Sequence, residues 1–188
     1  APARLSVLLP ILKRHFEVGV SVDDVIKDIE ELRRITYQEG SARDLLLVDL
    51  YGAIVLTRIE RSTWTLLPNY SQIEIDLWRT YLSRKAALKE LWPSQRLLGE
   101  AGVFSGNSAV VQMPTSAGKT KATELVIRTA FLSGRAHLAV VVAPFRALCQ
   151  EITDALKNAF IDDDVQINQL SDALQPDYLS EVLELLGV

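Results

Sequence analysis

The stretch S-A-V-V-Q-M-P-T-S-A-G-K-T, residues 108–120, constrains the fold more than any other part of the chain. Ser108–Met113 is a short β-branched run, of the length and composition of a strand buried in a parallel sheet. The loop Pro114–Gly118 follows, and then a helix pattern from Lys119 to about Ser133, stopped by Gly134. His137–Ala143 repeats the strand pattern, and Pro144 leads into a second helix through Phe160. Strand–helix–strand–helix order predicts parallel strands with right-handed crossovers. Loops 114–118 and 144–146 then fall at the carboxyl edge of the sheet, where open α/β sheets bind ligands.

A loop running from a strand into a helix turns successive backbone N–H groups toward one point. The helix amino terminus adds partial positive charge, and the two together cradle phosphate. Pro114, Thr115, Ser116 and Ala117 form the body of such a loop. Gly118 permits close approach and positive φ. Lys119 is placed to reach the β- and γ-phosphates, and the Thr120 hydroxyl to bind Mg²⁺. Met113 stands where the general pattern GxxxxGK[ST] has its first glycine, at the strand end, so the departure leaves the cradle itself intact.

The rest of the chain reads differently. Residues 1–74 are mainly helical, with no repeat and no recognisable chemistry. Ser21 and Asp24 resemble a capping box ahead of Val22, Val25, Ile26, Ile29, Leu32 and Ile35 at helical spacing, with Gly40 as the stop. Ala42–Ile59 reads as a helix or, from its Val/Ile-rich half, a strand. Ser62–Ser71, with Pro68-Asn69, reads as a turn or linker. Ile75–Leu91 reads as a helix ending before Trp92-Pro93. The expected division is a helical region 1–74 and an α/β region 75–188.

Charge is uneven beneath a net −4: residues 79–150 hold ten basic and three acidic side chains, a balance of +7. Such a block attracts a polyanion or merely solvates helix faces. One cysteine, Cys149, excludes an internal disulfide and suits a reducing, intracellular and cytoplasmic setting. With only His15 and His137 beside it, it assembles no zinc site. No apolar run approaches the ~20 residues that span a bilayer. The first residue is alanine, so the natural amino terminus is expected to lie upstream.

With P-T-S-A-G-K-T in view, the chain resembles superfamily 2 helicases, in particular the DEAD/DEAH-box and Ski2-like branches. Their Walker A motif, A-P-T-G/S-x-G-K-T, is matched from Pro114 to Thr120. A-P-F-R-A-L-C-Q, residues 143–150, resembles motif Ia through Pro144, Arg146, Ala147, Leu148 and Gln150. L-W-P-S-Q sets Gln95 where the family's Q motif reads the adenine edge. Trp78, upstream, is either a base-stacking aromatic or a core residue.

The resemblance implies a RecA-like P-loop NTPase domain, binding of ATP and Mg²⁺, and contact with nucleic acid through Pro144 and Arg146, with DNA and RNA undecided. Lys119 and Thr120 would be the catalytic contacts. The family also carries an acidic motif, D-E-x-H or D-E-A-D, absent from this sequence. Asp162-Asp163-Asp164 follows no apolar strand and reads as a solvated loop. The chain therefore reads as the front part of a helicase, inactive alone, with the rest of the motor domain and a second RecA-like domain beyond Val188. Two alternatives stand beside it: a nucleotide-binding or partner-docking module without turnover, and an unrelated P-loop NTPase.

Overall fold

The computed structural model describes residues 2–114 and 116–169, with side chains described from Leu9 onward. The chain divides into two compact units, Ala1–Ala117 and Gly118–Val188.

The first unit is helical. Helix α1 spans Pro2–Val18, α2 Asp23–Glu39 and α3 Ala42–Glu60. Val22, Val25 and Ile29 from the α2 stripe bury against Val55 and Ile59 of α3 and Leu12 of α1. Leu32 and Thr36 extend the buried stripe. Gly52 lets the two helices approach, since a Cβ there would meet the Ile29 Cγ2 at 2.9 Å. The expected capping box at Ser21 does not form; Ser21 exchanges hydrogen bonds with Asp23 instead. The reciprocal box lies one helix later, where the Ser41 hydroxyl and the Asp44 carboxylate satisfy each other's backbone N–H. That box settles the second segment as helix, because capped N–H groups and a buried stripe outweigh β-branched propensity.

Two expectations fail in the next stretch. Ser62–Ser71 is not a linker: α4 spans Thr63–Ser71 with Pro68 inside it. Proline removes one N–H from the ladder, but its φ suits a helix, and burial of Trp64, Leu67 and Ser71 holds this one. The helix expected over Ile75–Leu91 stops early, as α5 over Ile75–Leu82. The chain then folds back on the start of α4. Thr63 N–H donates to the Lys89 carbonyl, Leu91 N–H donates to the Arg61 carbonyl, and Ser62 and Glu90 form an isolated bridge. Lys89 binds the Leu82 and Arg84 carbonyls with its ammonium, occupying the end of α5. Helix α6 spans Pro93–Glu100, and α4 packs on both α5 and α6.

The second unit holds α7, Lys119–Leu132, and α8, Arg146–Ala159. They pack through Leu125, Thr129, Leu156 and Phe160, with Phe131 and Phe160 in edge contact at 6.5 Å. Gly134 follows the α7 C-cap with φ +69°.

The expected parallel strands do not appear among the described residues: no strand forms, and both 108–113 and 137–143 lack regular structure. A parallel strand exists only when neighbouring strands take its N–H and C=O groups, and neither run is paired. Their valines stay exposed; Val110 is fully exposed and Val142 is 88% exposed. Local composition marks a strand, but pairing partners make one.

Candidate functional site

The candidate residues read from the sequence lie at or beside three helix starts, one in the first unit and two in the second. Helix α6 opens at Pro93, whose fixed φ suits the first helical turn. Gln95 lies two residues on, 1% exposed, and its Oε1 accepts the Trp92 N–H at 2.9 Å. Its amide thus closes the beginning of its own helix, which sequence reasoning did not foresee. Ser94, beside it, donates from Oγ to the Ala117 carbonyl at 2.9 Å. Sequence reasoning missed Ser94 too, because nothing in a serine at a helix start announces a partner 23 residues away.

Within the first unit, the loop runs through Pro114, Ser116 and Ala117, with Ala117 N–H donating to the Pro114 carbonyl at 3.1 Å. Thr115 lies outside the described residues. In the second unit, Gly118 is the α7 N-cap in the left-handed region, φ +77° and ψ +37°. No side chain caps this helix end. Its first N–H groups are therefore the orphan donors every helix leaves at its start. Lys119 and Thr120 both lie exposed in the first turn. An ammonium, a hydroxyl and uncapped amides at one helix terminus form the donor set for a Mg²⁺–triphosphate, and the residues present fit that group.

Helix α8 starts the same way. Phe145 is its N-cap in extended conformation, no side chain caps it, and Arg146 is its exposed first residue. Pro144 precedes it, exposed. Cys149 is half-buried, its thiol 3.8 Å from the Ala143 carbonyl.

Buried charge ties α7 to α8. Arg128 Nη1 donates to Asp163 Oδ2 at 2.9 Å and Nη2 to the Ala159 carbonyl at 3.0 Å. Its guanidinium also lies 4.4 Å over the Phe160 ring and 3.6 Å from the Glu124 carboxylate, which Lys121 engages too. Asp163 is thus not simply solvated as expected: it is an ion-pair partner of a buried arginine. The basic block is likewise not one open face. Arg79 pairs with Asp76, Lys89 is held by carbonyls, and Lys121 and Arg128 are engaged within α7 and α8. Burial lowers the Lys89 pKa from its ordinary value.

Trp78 is fully buried, its indole N–H donating to Ser71 Oγ at 3.1 Å, and belongs to the core. Another buried polar pair, remote in sequence from the loop, joins α1 to α4. His15 Nε2 lies 2.8 Å from Ser62 Oγ, and Nδ1 lies 2.8 Å from the Val20 carbonyl. A carbonyl only accepts, so Nδ1 carries the proton and Nε2 accepts from serine. Burial depresses the His15 pKa, and the Val20 carbonyl opposes the shift.

Residues 92–184 match the family model DEAD/DEAH box helicase. The matched span runs from the start of α6 through the 114–118 loop, α7 and α8, and over it the chain is similar to DEAD/DEAH box helicases. Hachiman protein HamB of Bacillus cereus is 32% identical over 89 residues, which is 47% of this chain and 8% of HamB. ATP-dependent DNA helicase Hel308 of Thermococcus kodakarensis is 34% identical over 68 residues, 36% of this chain and 6% of Hel308. The chain spans less than a tenth of the length of either. No solved structure matches it. Among the described residues no helix is long and apolar enough to cross a membrane.

Proposed function

We propose that this chain supplies the ATP-binding front part of an ATP-dependent nucleic-acid helicase or translocase, with residues 1–74 as a helical region ahead of a motor domain beginning near residue 75. The supporting observation is the α7 start: an uncapped helix terminus led by a left-handed glycine, with Lys119 and Thr120 exposed. In this reading Pro114–Gly118 wraps the phosphates, Lys119 neutralises the β/γ oxygens, and Thr120 ligates Mg²⁺. Gln95 recognises adenine. Pro144 and Arg146 meet the strand backbone, and strands 108–113 and 137–143 pair into a parallel sheet when the remaining strands of the motor domain are present. Bound Mg²⁺ supplies charge neutralisation at the phosphates. Turnover needs an acidic residue and a second RecA-like domain from outside this sequence, so the isolated chain binds nucleotide without hydrolysing it. The name of Hel308, a DNA helicase, favours DNA as the strand.

The test is equilibrium binding of Mg-ATP to the 188-residue chain and its Lys119→Ala variant. The variant should lose at least tenfold in affinity with unchanged thermal stability, because an exposed ammonium serves ligand and not core. Equal affinity in both would remove residues 113–120 from the nucleotide site.

A further inference from the structure

We propose that Ser94 is a positioning residue of the phosphate loop, aiming the Gly118 N–H at the bound phosphates; this rests on the reading of 114–120 as the phosphate site. Ala117 is held by both its backbone groups: its N–H donates to the Pro114 carbonyl, and its C=O accepts from Ser94 Oγ at 2.9 Å. The second contact matters more for a ligand. The Ala117 carbonyl and the Gly118 N–H belong to one planar trans peptide, so they point in opposite directions. Pinning the carbonyl toward α6 turns the N–H away from α6. Glycine accepts φ of either sign at little cost, so a Gly118 without this tether has nothing local to stop its preceding peptide from flipping. The left-handed φ of +77° is the state the tether selects.

The tether is itself anchored. Ser94 is the second residue of α6, whose next residue, Gln95, is fully buried and closes the helix start by accepting the Trp92 N–H. Leu98 and Gly99 are buried one turn on, and a Cβ at Gly99 would clash with the Tyr70 ring of α4. The hydroxyl therefore projects from a helix end that packing and hydrogen bonding both hold. This links two motifs separated in sequence: the α6 start carries Gln95 for the base and Ser94 for the loop.

The experiment uses the 188-residue chain, with Mg-ATP, Mg-ADP and adenosine titrated against wild type, Ser94→Ala, Ser94→Cys, Ser94→Thr and Lys119→Ala. Loss of one such hydrogen bond should weaken both phosphate ligands about three- to tenfold. Adenosine affinity should not change, since no phosphate is present to read the N–H. Ser94→Cys, which keeps the shape and weakens the donor, should follow alanine; Ser94→Thr, which keeps the hydroxyl, should follow wild type. The Gly118 amide resonance should move in Ser94→Ala and stay in Ser94→Thr before any nucleotide is added. Wild-type phosphate affinity in Ser94→Ala, with binding lost in Lys119→Ala, would overturn the role of Ser94 and leave the loop assignment standing. An equal loss for adenosine and ATP would make Ser94 a general support of α6 and overturn the proposal. Wild-type binding by Lys119→Ala would remove the loop assignment and the proposal with it.

Discussion

Replacing Arg128 by methionine should loosen α7 from α8 by several kcal/mol. The guanidinium is nearly buried, with 4% of the side chain exposed, and it joins Asp163, the Ala159 carbonyl, the Phe160 ring and the Glu124 carboxylate. Methionine keeps most of the volume, so the cost falls on charge and hydrogen bonding. The Glu124 side chain, 5% exposed, would be left with Lys121 alone. Removing one partner of a buried ion pair typically costs about 3–5 kcal/mol, most of it from the charge left behind. Hydrogen exchange of the α7 and α8 amides measures the effect directly, and a loss of ~3 kcal/mol multiplies their opening by a hundred or more. All three tryptophans lie between residues 64 and 92, so their fluorescence follows the first unit and serves as the control. The double variant Arg128→Met/Glu124→Gln should recover part of the loss, because the most buried carboxylate is then neutral and only the more exposed Asp163 is left without its arginine. A single-variant loss below about 1 kcal/mol would show that Arg128 behaves as an ordinary surface charge and would refute the reasoning.

Other substitutions probe the remaining elements. The His15 pKa is depressed in the fold relative to 6.5, so the unfolded chain binds a proton that the folded chain does not. Stability from this group is complete above pH 6.5 and declines as pH falls toward the folded pKa; urea midpoints across that window should show the slope, and His15→Gln should flatten it. Gly19 has φ +73° and faces the Trp64 ring, so Gly19→Ala should cost at least ~1–3 kcal/mol through strain and overpacking, read from the tryptophan transition. Gln95→Ala should lower the stability of the first unit by about 1–3 kcal/mol, since it strips the acceptor from Trp92 N–H. It should also reduce preference for ATP over GTP; a stability loss with unchanged discrimination would make the amide a helix cap alone. In the full-length protein, Arg146→Ala should lower the salt slope of strand binding by about 0.7–0.9, with nucleotide affinity intact. An unchanged slope would assign the arginine to structure.

The helices of this chain were legible where one strong local signal coincided with burial. The 3.6-residue apolar stripe of α2, the Gly40 and Gly134 stops and the helix following Gly118 all appear at nearly the expected residues. Each depends on interactions within a few residues of itself, so sequence order already contains them. Residues 92–184, a span that includes 113–120 and 143–150, match the family model DEAD/DEAH box helicase. Helix α4 was hidden because Pro68-Asn69 signals a turn, while Trp64 donates to the Phe16 carbonyl 48 residues away and Leu67 is fully buried. The early end of α5 was hidden too: Thr63 and Arg61 capture the backbone of Lys89 and Leu91, against the local preference for helix. Ser94 and Arg128 owe their roles to partners 23 and 35 residues away, and no local pattern encodes such a meeting. The valine-rich runs mark the opposite limit. Their composition determines what they are suited to become, but a parallel strand borrows its hydrogen bonds from neighbours, and only tertiary structure supplies or withholds them.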